Sequence, residues 1–433
     1  MKFIFPFFLI LISYYLFSQN PGDDLPPWNP GMMDLHHIQT GRGDAAFYVF
    51  PDGTTMIVDA GDMSETHPRI TSPRNTPPVP DASKTTGEWI VDYIRQFHPK
   101  GKDAVLDYAM ITHFHDDHMG EIDHTSKKSK WGEYYITGIT EVGEHIPIRK
   151  LIDRGYPDYD FPHDMKSQEY RSAMLARKDH YDSTTTFTLE QYWKFISSQA
   201  EKRGLVGEQF KAGSNTQIKL LYKEPDYPSF EIRNICGNGL AWTGWGEESI
   251  AMVPQDILAG TQVPGENSLS NAIKITYGNF NYFTGGDIAG NNGLGEGDWQ
   301  SVESQVAPVI GPVDVATLNH HGNRDSQSPF YVRTLRPKVW IGQTWSSDHP
   351  GDDVMRRIAS KELYPGDRYL FSTAMLEANH LVIGDRIDRI YESTHGHVVV
   401  RVLNGGEEYM VFVLDECSPE RKIKKVIGPI KSR

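Results

Sequence analysis

A chain of 433 residues with 38% hydrophobic and 23% charged content is composed like a soluble globular protein, long enough for one large domain or two ordinary ones. Its formal charge of -14 argues against non-specific duplex DNA binding, which relies on neutralising phosphates with Lys and Arg. Cys236 and Cys417 are its only cysteines; neither sits in a Cys-x-x-Cys motif or reads as a metal ligand, though the two could form one disulfide.

The N-terminus reads as a targeting segment. Lys2 supplies a positive start, residues 3–17 are an apolar run, and Ser18, Gln19 and Asn20 follow. That run suits a signal-peptide core better than a full membrane span. The expectation is a signal peptide over 1–19 cut near Ser18, with an uncleaved membrane anchor as the alternative. The protein should therefore be exported, to the periplasm or outside the cell. No cysteine follows, which excludes a lipoprotein anchor. Residues 20–33, rich in Pro and Asp, read as a linker. One folded domain is expected over 34–418, with a basic, exposed tail over 419–433.

Within the domain, Gly41-Arg42-Gly43-Asp44-Ala45 leads into strands at 46–49 and 55–58, joined by a Pro51-Asp52-Gly53 turn. The second strand ends in Asp59-Ala60-Gly61-Asp62. Residues 66–84, rich in Pro, Ser and Thr, must be a loop. Trp89, Ile90, Tyr93, Ile94 and Phe97 then fall on one stripe of an amphipathic helix over 87–97.

Residues 106–111 read as a buried strand, and the chain continues T-H-F-H-D-D-H-M-G. Four potential metal ligands, His113, His115, Asp117 and His118, fall within six residues. In an extended strand tip alternate residues share a side, so His113 and His115 can converge on one ion. Asp117 and His118 come after the chain turns and can serve a second ion beside it. Imidazoles with a carboxylate suit zinc, with manganese or iron as alternatives.

The segment 121–264 carries no metal motif. It suggests a strand pair around 146–155, a helix over 187–203, a strand over 217–222 and a Gly- and Trp-rich stretch over 234–246. His145, His163 and His180 lack ligand spacing and read as surface residues. After Glu266-Asn267-Ser268-Leu269-Ser270-Asn271, a hairpin over 272–284 ends in Gly285-Gly286-Asp287, where a carboxylate can bridge two metals. A strand over 313–318 leads to Asn319-His320-His321-Gly322. Another over 337–342 leads to Trp345 and His349-Pro350, ahead of a helix near 354–358. Residues 381–414 read as hairpins turning at Gly384-Asp385 and Gly405-Gly406, with His395 and His397 on a strand surface.

The order Gly-x-Gly-Asp-Ala, hairpin, Val-Asp-Ala-Gly, His-x-His-x-Asp-His, Gly-Asp and His-His-Gly resembles the metallo-β-lactamase superfamily. The Gly41-x-Gly43-Asp44 and His349-Pro350 elements resemble its competence-type, ComEC/Rec2-like branch. The resemblance covers most of 34–414, with 121–264 poorly matched. It implies an α/β fold: an αββα sandwich of two mixed β-sheets with outer helices. It also implies two divalent metal ions sharing a hydroxide. His113, His115 and Asp287 would hold one ion; Asp117, His118, Asp287 and one of His320 and His321 would hold the other. Asp117 and His349 would act in catalysis, and Asp44, Asp59, Asn267 and Asn271 would support the ligands from behind. Many relatives place a further histidine before the hairpin, where this chain has Glu266, Asn267 or Asn271. The expected activity is metal-dependent hydrolysis of a small-molecule or envelope-linked phosphodiester, with no stable protein partner. The alternatives are a lactone, thioester or β-lactam hydrolase, and a metal-dependent binding protein without turnover.

Overall fold

A computed structural model of the chain describes residues 19–63, 72–176, 180–258, 263–290 and 299–433. The expected signal peptide falls almost wholly outside them, as do part of the 66–84 loop and the side chain of His180. No helix among the described residues is long and apolar enough to cross a membrane.

Two nine-stranded mixed sheets dominate the molecule. Alternation along Ala45–Val49 shows why each sheet has two buried faces. Ala45, Phe47 and Val49 point into a core shared with helices, while Ala46 and Tyr48 point into a core shared with the other sheet. Between the sheets, Leu35, Tyr48, Met56 and Met110 of the first meet Ile275, Tyr282, Val315 and Ile341 of the second. The helices Thr86–Phe97 and Gly138–His145 cover the outside of the first sheet, and Val302–Ile310 and Pro329–Leu335 cover the second. Thr85 starts the first of these helices with a capping box: its side chain accepts the Glu88 N–H while Glu88 accepts the Thr85 N–H. This is the αββα sandwich expected from the motifs.

Each sheet is antiparallel on one side and parallel on the other. In the first, Thr55–Ala60, Leu106–Met110, Ile148–Asp153 and Val206–Gln209 run parallel. In the second, Phe280–Thr284, Val315–Thr317, Val339–Gly342, Tyr369–Ser372 and Tyr391–Ser393 do. Asp59, His113, Asp287 and His321 all lie at or just beyond the carboxyl ends of parallel strands. That end of a parallel sheet is where open α/β folds place their ligands.

Several expectations change. Ile148–Asp153 is not half of a hairpin; it pairs in parallel with strands on both sides. Residues 217–222 form no strand, because their N–H groups serve side chains: Leu221 donates to Thr54 Oγ1 and Tyr222 to Asp52. The 234–246 stretch belongs to a hairpin of Phe230–Gly237 and Leu240–Trp242. Gly384 ends the helix Glu377–Ile383 rather than turning a hairpin. His397 is buried, its ring 4.7 Å from that of Tyr93 and its Nδ1 accepting the Gln39 N–H, whereas His395 is exposed. His163 is exposed and His145 half-buried. The tail is not free: Ile423–Lys431 adds the edge strand of the first sheet beside Glu408–Leu414. The expected linker packs as well, with Leu25 buried and Gly22 donating to the Ile423 carbonyl. Cys236, buried, and Cys417, exposed, are both unpaired.

Candidate metal centre

The short helix Asp116–Met119, after the strand Leu106–Met110, turns Asp117 and His118 back toward His113. The backbone of Asp117 is wedged between two other segments: the Asp44 N–H donates to its carbonyl at 2.8 Å, and a side chain at Gly43 or Gly61 would run into that carbonyl. This gives Gly43-Asp44 and Ala60-Gly61 a physical meaning, since only glycine permits so close an approach, while Gly41 lies against the Pro77 carbonyl instead. From the second sheet, Asp287 follows Phe280–Thr284, and His320 and His321 follow Val315–Thr317. Asp59, His320 and His321 are three of the eight non-glycine residues in the left-handed region among the described residues. Such conformations gather at functional sites, where the surroundings over-determine them.

These residues converge. His118 Nε2 lies 3.2 Å from Asp287 Oδ1, His113 Nε2 3.7 Å from Asp287 Oδ2, and His321 Nε2 3.6 Å from the same oxygen. His321 Nε2 is also 3.0 Å from Asp117 Oδ2. Two of the four three-residue groups among the described residues that could hold a metal ion fall here, sharing His118: His113, His118 and Asp287, and Asp44, His118 and His321. His115 belongs to neither, although its ring sits 4.5 Å from that of His113.

The opposite ring nitrogens are pinned. His118 Nδ1 donates to Asp59 Oδ2 at 2.8 Å. Thr112 gives its hydroxyl proton to the same carboxylate at 2.7 Å, so its oxygen can accept from His113 Nδ1 at 3.1 Å. His321 Nδ1 faces both Asp44 Oδ1 and the Gln343 carbonyl at 3.0 Å, which fixes the proton there. All three Nε2 lone pairs therefore point inward, the arrangement that supporting hydrogen bonds give metal-binding imidazoles. Nε2 of His113, His118 and His321 and Oδ1 of Asp287 are buried without a hydrogen-bond partner. Buried polar atoms normally have one, so a cluster of orphans that are all electron-pair donors fits a cation.

The electrostatics agree. Burial pulls the His118 and His321 pKa values down, but the carboxylates around them, Asp287 foremost, raise both well above the ordinary value. Burial pushes Asp287 up, yet the four surrounding imidazoles hold it well below the usual carboxylate range. The pocket is a field of negative charge that draws in positive charge.

His320 stands apart. Its Nδ1 binds Asp325 at 2.7 Å and its Nε2 accepts from Asn267 at 3.2 Å, so both nitrogens are engaged at the cleft rim. His349 stacks on His321 at 4.7 Å, and burial lowers its pKa to about 3. Asn271 lies deeper, tying its amide to the Ile111 carbonyl and its N–H to that of Thr112. Sequence reasoning did not single out Thr112, Gln343, Asp325 or Arg74. Thr112 directly precedes His113, and a hydroxyl beside a ligand histidine was the one signal available. The cleft, of about 470 Å³, is lined by His115, Asp117, Asp287, His320, His321 and His349, with Arg74 at its edge.

No known family model and no curated protein matches the chain. Among solved structures, zinc-bound PqqB from Methylobacterium extorquens is similar at 9% identity and a TM-score of 0.35, over 82% of this chain and 86% of that one. The metallo-β-lactamase fold protein YhfI from Bacillus subtilis is similar at 8% identity and a TM-score of 0.33, over 78% of this chain and 96% of that one. A protein of unknown function from Enterococcus faecalis is similar at 9% identity and a TM-score of 0.28, over 84% of this chain and 73% of that one.

Proposed function

We propose that this chain is an exported metal-dependent hydrolase that cleaves a phosphodiester. The observation that carries the reading is the set of buried, unpartnered Nε2 and carboxylate atoms converging on one point while the opposite nitrogens are held. His113, His118 and Asp287 would hold one ion, with His115 as the remaining donor at the cleft wall. Asp117 and His321, again with Asp287, would hold a second. When bound, such ions lower the pKa of water and offset charge on a phosphoryl oxygen. His321 rather than His320 is assigned to metal, because His320 Nε2 already accepts from Asn267.

The remaining residues take supporting tasks. Asp59, Asp44 and Thr112 keep the ligand imidazoles in the Nδ1–H tautomer. Asp117 can accept a hydrogen bond from, and so orient, an attacking water. His320, held by Asp325, faces the substrate at the rim. His349 becomes a positioning residue, since its ring braces His321 face to face. Arg74, the one Lys or Arg among the described residues lining the cleft, pairs with Asp348 at 3.4 Å, so a preference for an anionic ester over a neutral lactone would come chiefly from the bound ions. The -14 charge keeps long duplex DNA out of favour.

Elemental analysis paired with a substrate panel tests this. Purified protein should carry one to two transition-metal ions, and the His113→Ala/His115→Ala double variant should lose at least one. Bis-p-nitrophenyl phosphate or p-nitrophenylphosphorylcholine should be cleaved faster than a lactone or nitrocefin. Faster lactone or nitrocefin cleavage would overturn the substrate class; absence of metal, with no thermal shift on adding zinc, would overturn the whole reading.

A further inference from the structure

A second cavity, of about 360 Å³, adjoins the metal centre, and His115 lines both. The 3-10 turn Glu266–Leu269 partitions them, so that Glu266 faces the second cavity and its neighbour Asn267 faces the first. The two differ in chemistry. The first is lined mainly by carboxylates and imidazoles; the second sets Phe114, Met165, Met174 and Leu269 beside the polar His163 and Thr185.

The second cavity does contain a charged pair, Arg154 and Glu266, but Arg154 has no donor left to offer a ligand. Nε and Nη2 of Arg154 bind the Glu266 carboxylate at 2.7 and 2.6 Å, and Nη1 donates to the Phe161 carbonyl and to Asn238 Oδ1. Nη2 also reaches the Met165 sulfur at 3.5 Å. A guanidinium has five N–H donors, and these five contacts use them all. Glu266 is engaged in turn, since Oε1 also accepts the Phe114 N–H. The guanidinium lies 4.6 Å over the Phe114 ring and forms a neutralised part of the lining. An anion entering here would find no free donor on Arg154, whereas an apolar group would be taken out of water.

We infer that this cavity receives the apolar arm of the substrate, so that the substrate joins an anionic ester at the metal centre to an alkyl or aryl group beyond His115. The inference rests on the hydrolase reading and narrows its substrate class. At about 30 Å³ per small group, the space holds on the order of ten carbon atoms.

Calorimetric binding of methyl-, butyl- and octylphosphonic acid to the zinc-loaded full chain tests it without turnover. Affinity should rise roughly three- to fourfold per methylene while the chain enters the cavity. Filling the cavity by Met174→Trp, or by the milder Met174→Phe should the first fail to fold, should cut the octyl-to-methyl affinity ratio at least tenfold. Equal affinity of the native protein for methyl- and octylphosphonate would overturn the inference, as would an unchanged ratio in a folded Met174 variant. If zinc does not bind, or none of the three phosphonates binds the zinc-loaded chain, the hydrolase reading itself fails and the inference falls with it.

Discussion

Asp59→Asn tests the metal centre from beneath without touching an atom that faces the ions. Asp59 Oδ1 accepts the Thr112 N–H at 2.7 Å, and Oδ2 accepts the Thr112 hydroxyl at 2.7 Å and His118 Nδ1 at 2.8 Å. An asparagine can keep one acceptor for the Thr112 N–H, but its NH2 then meets two donors. His118 must either hold Nδ1–H against another N–H or move its proton to Nε2, where it would point at Asp287. Hydrogen bonds to a charged partner contribute about 1.5–3 kcal/mol each, and two are lost. Part of that returns as Thr112 and His118 rearrange, so zinc affinity should fall roughly 10- to 100-fold, as for other residues that hold a metal's ligands. The backbone is a fair control, because φ of Asp59 is 57° and asparagine tolerates that region as aspartate does. Competition with a chromogenic chelator at pH 7.5 measures the affinity, and far-UV circular dichroism checks folding. A folded Asp59→Asn protein binding zinc within about threefold of the native chain would refute the tautomer argument.

Three other perturbations reach different parts of the structure. Asp287→Asn should leave a folded protein with turnover reduced far more than tenfold, because a neutral amide cannot balance two cations; a rate within about tenfold of native, roughly 1.4 kcal/mol in barrier, would remove Asp287 from its shared position. Gly61→Ala should cost about 1–3 kcal/mol and lower metal affinity, since the new methyl runs into the Asp117 carbonyl; an unchanged urea midpoint would show that the clamp can yield. Burial raises the pKa of Asp34, but the Arg401 guanidinium at 2.6 Å outweighs it and holds the carboxyl near 2, below its unfolded value of 3.8. A depressed carboxyl pKa contributes stability that is complete above the unfolded value and is lost as pH falls through the folded one. The stability gap between the native chain and Asp34→Asn should therefore shrink by about 2 kcal/mol between pH 5 and pH 2; a constant gap in urea midpoints across that range would contradict the ion pair's role.

The parts of this molecule legible in the sequence are those where one local signal decides the outcome. Alternation marked Ala45–Val49 and Leu106–Met110, and a 3.6-residue stripe marked Thr86–Phe97. The site was legible because its residues sit in short motifs at strand ends, with His113, His115, Asp117 and His118 within six positions and Asp287 and His320-His321 each just past a strand. What escaped depends on partners distant in the chain. Residues 217–222 alternate like a strand, yet Asp52 and Thr54 take their backbone donors. Ile423–Lys431 looked like a charged tail because its lysines, Gly428 and Pro429 break any alternation of its four apolar residues, and only the neighbouring Glu408–Leu414 makes it a strand. His320 and His321 could not be told apart by spacing; the difference lies in Asn267 and Asp325 for one and Asp44 and Gln343 for the other.

The donors on the first sheet and those on the second meet only when the two layers close on each other, with Asp287 arriving from far down the chain to sit against His113 and His118. Neither layer by itself offers a complete socket: His113 and His118 come from the first, Asp287 and His321 from the second. An ion bound there would ignore a nascent or half-assembled chain and bind only a completed one. Because it would bind the native form alone, its grip would add to the work of prising the layers apart, in proportion to the logarithm of its concentration. Stripping the ion should thus loosen the seam between the layers before it loosens either layer, and hydrogen exchange along Leu106–Met110 and Phe280–Thr284 would record the order in which they part.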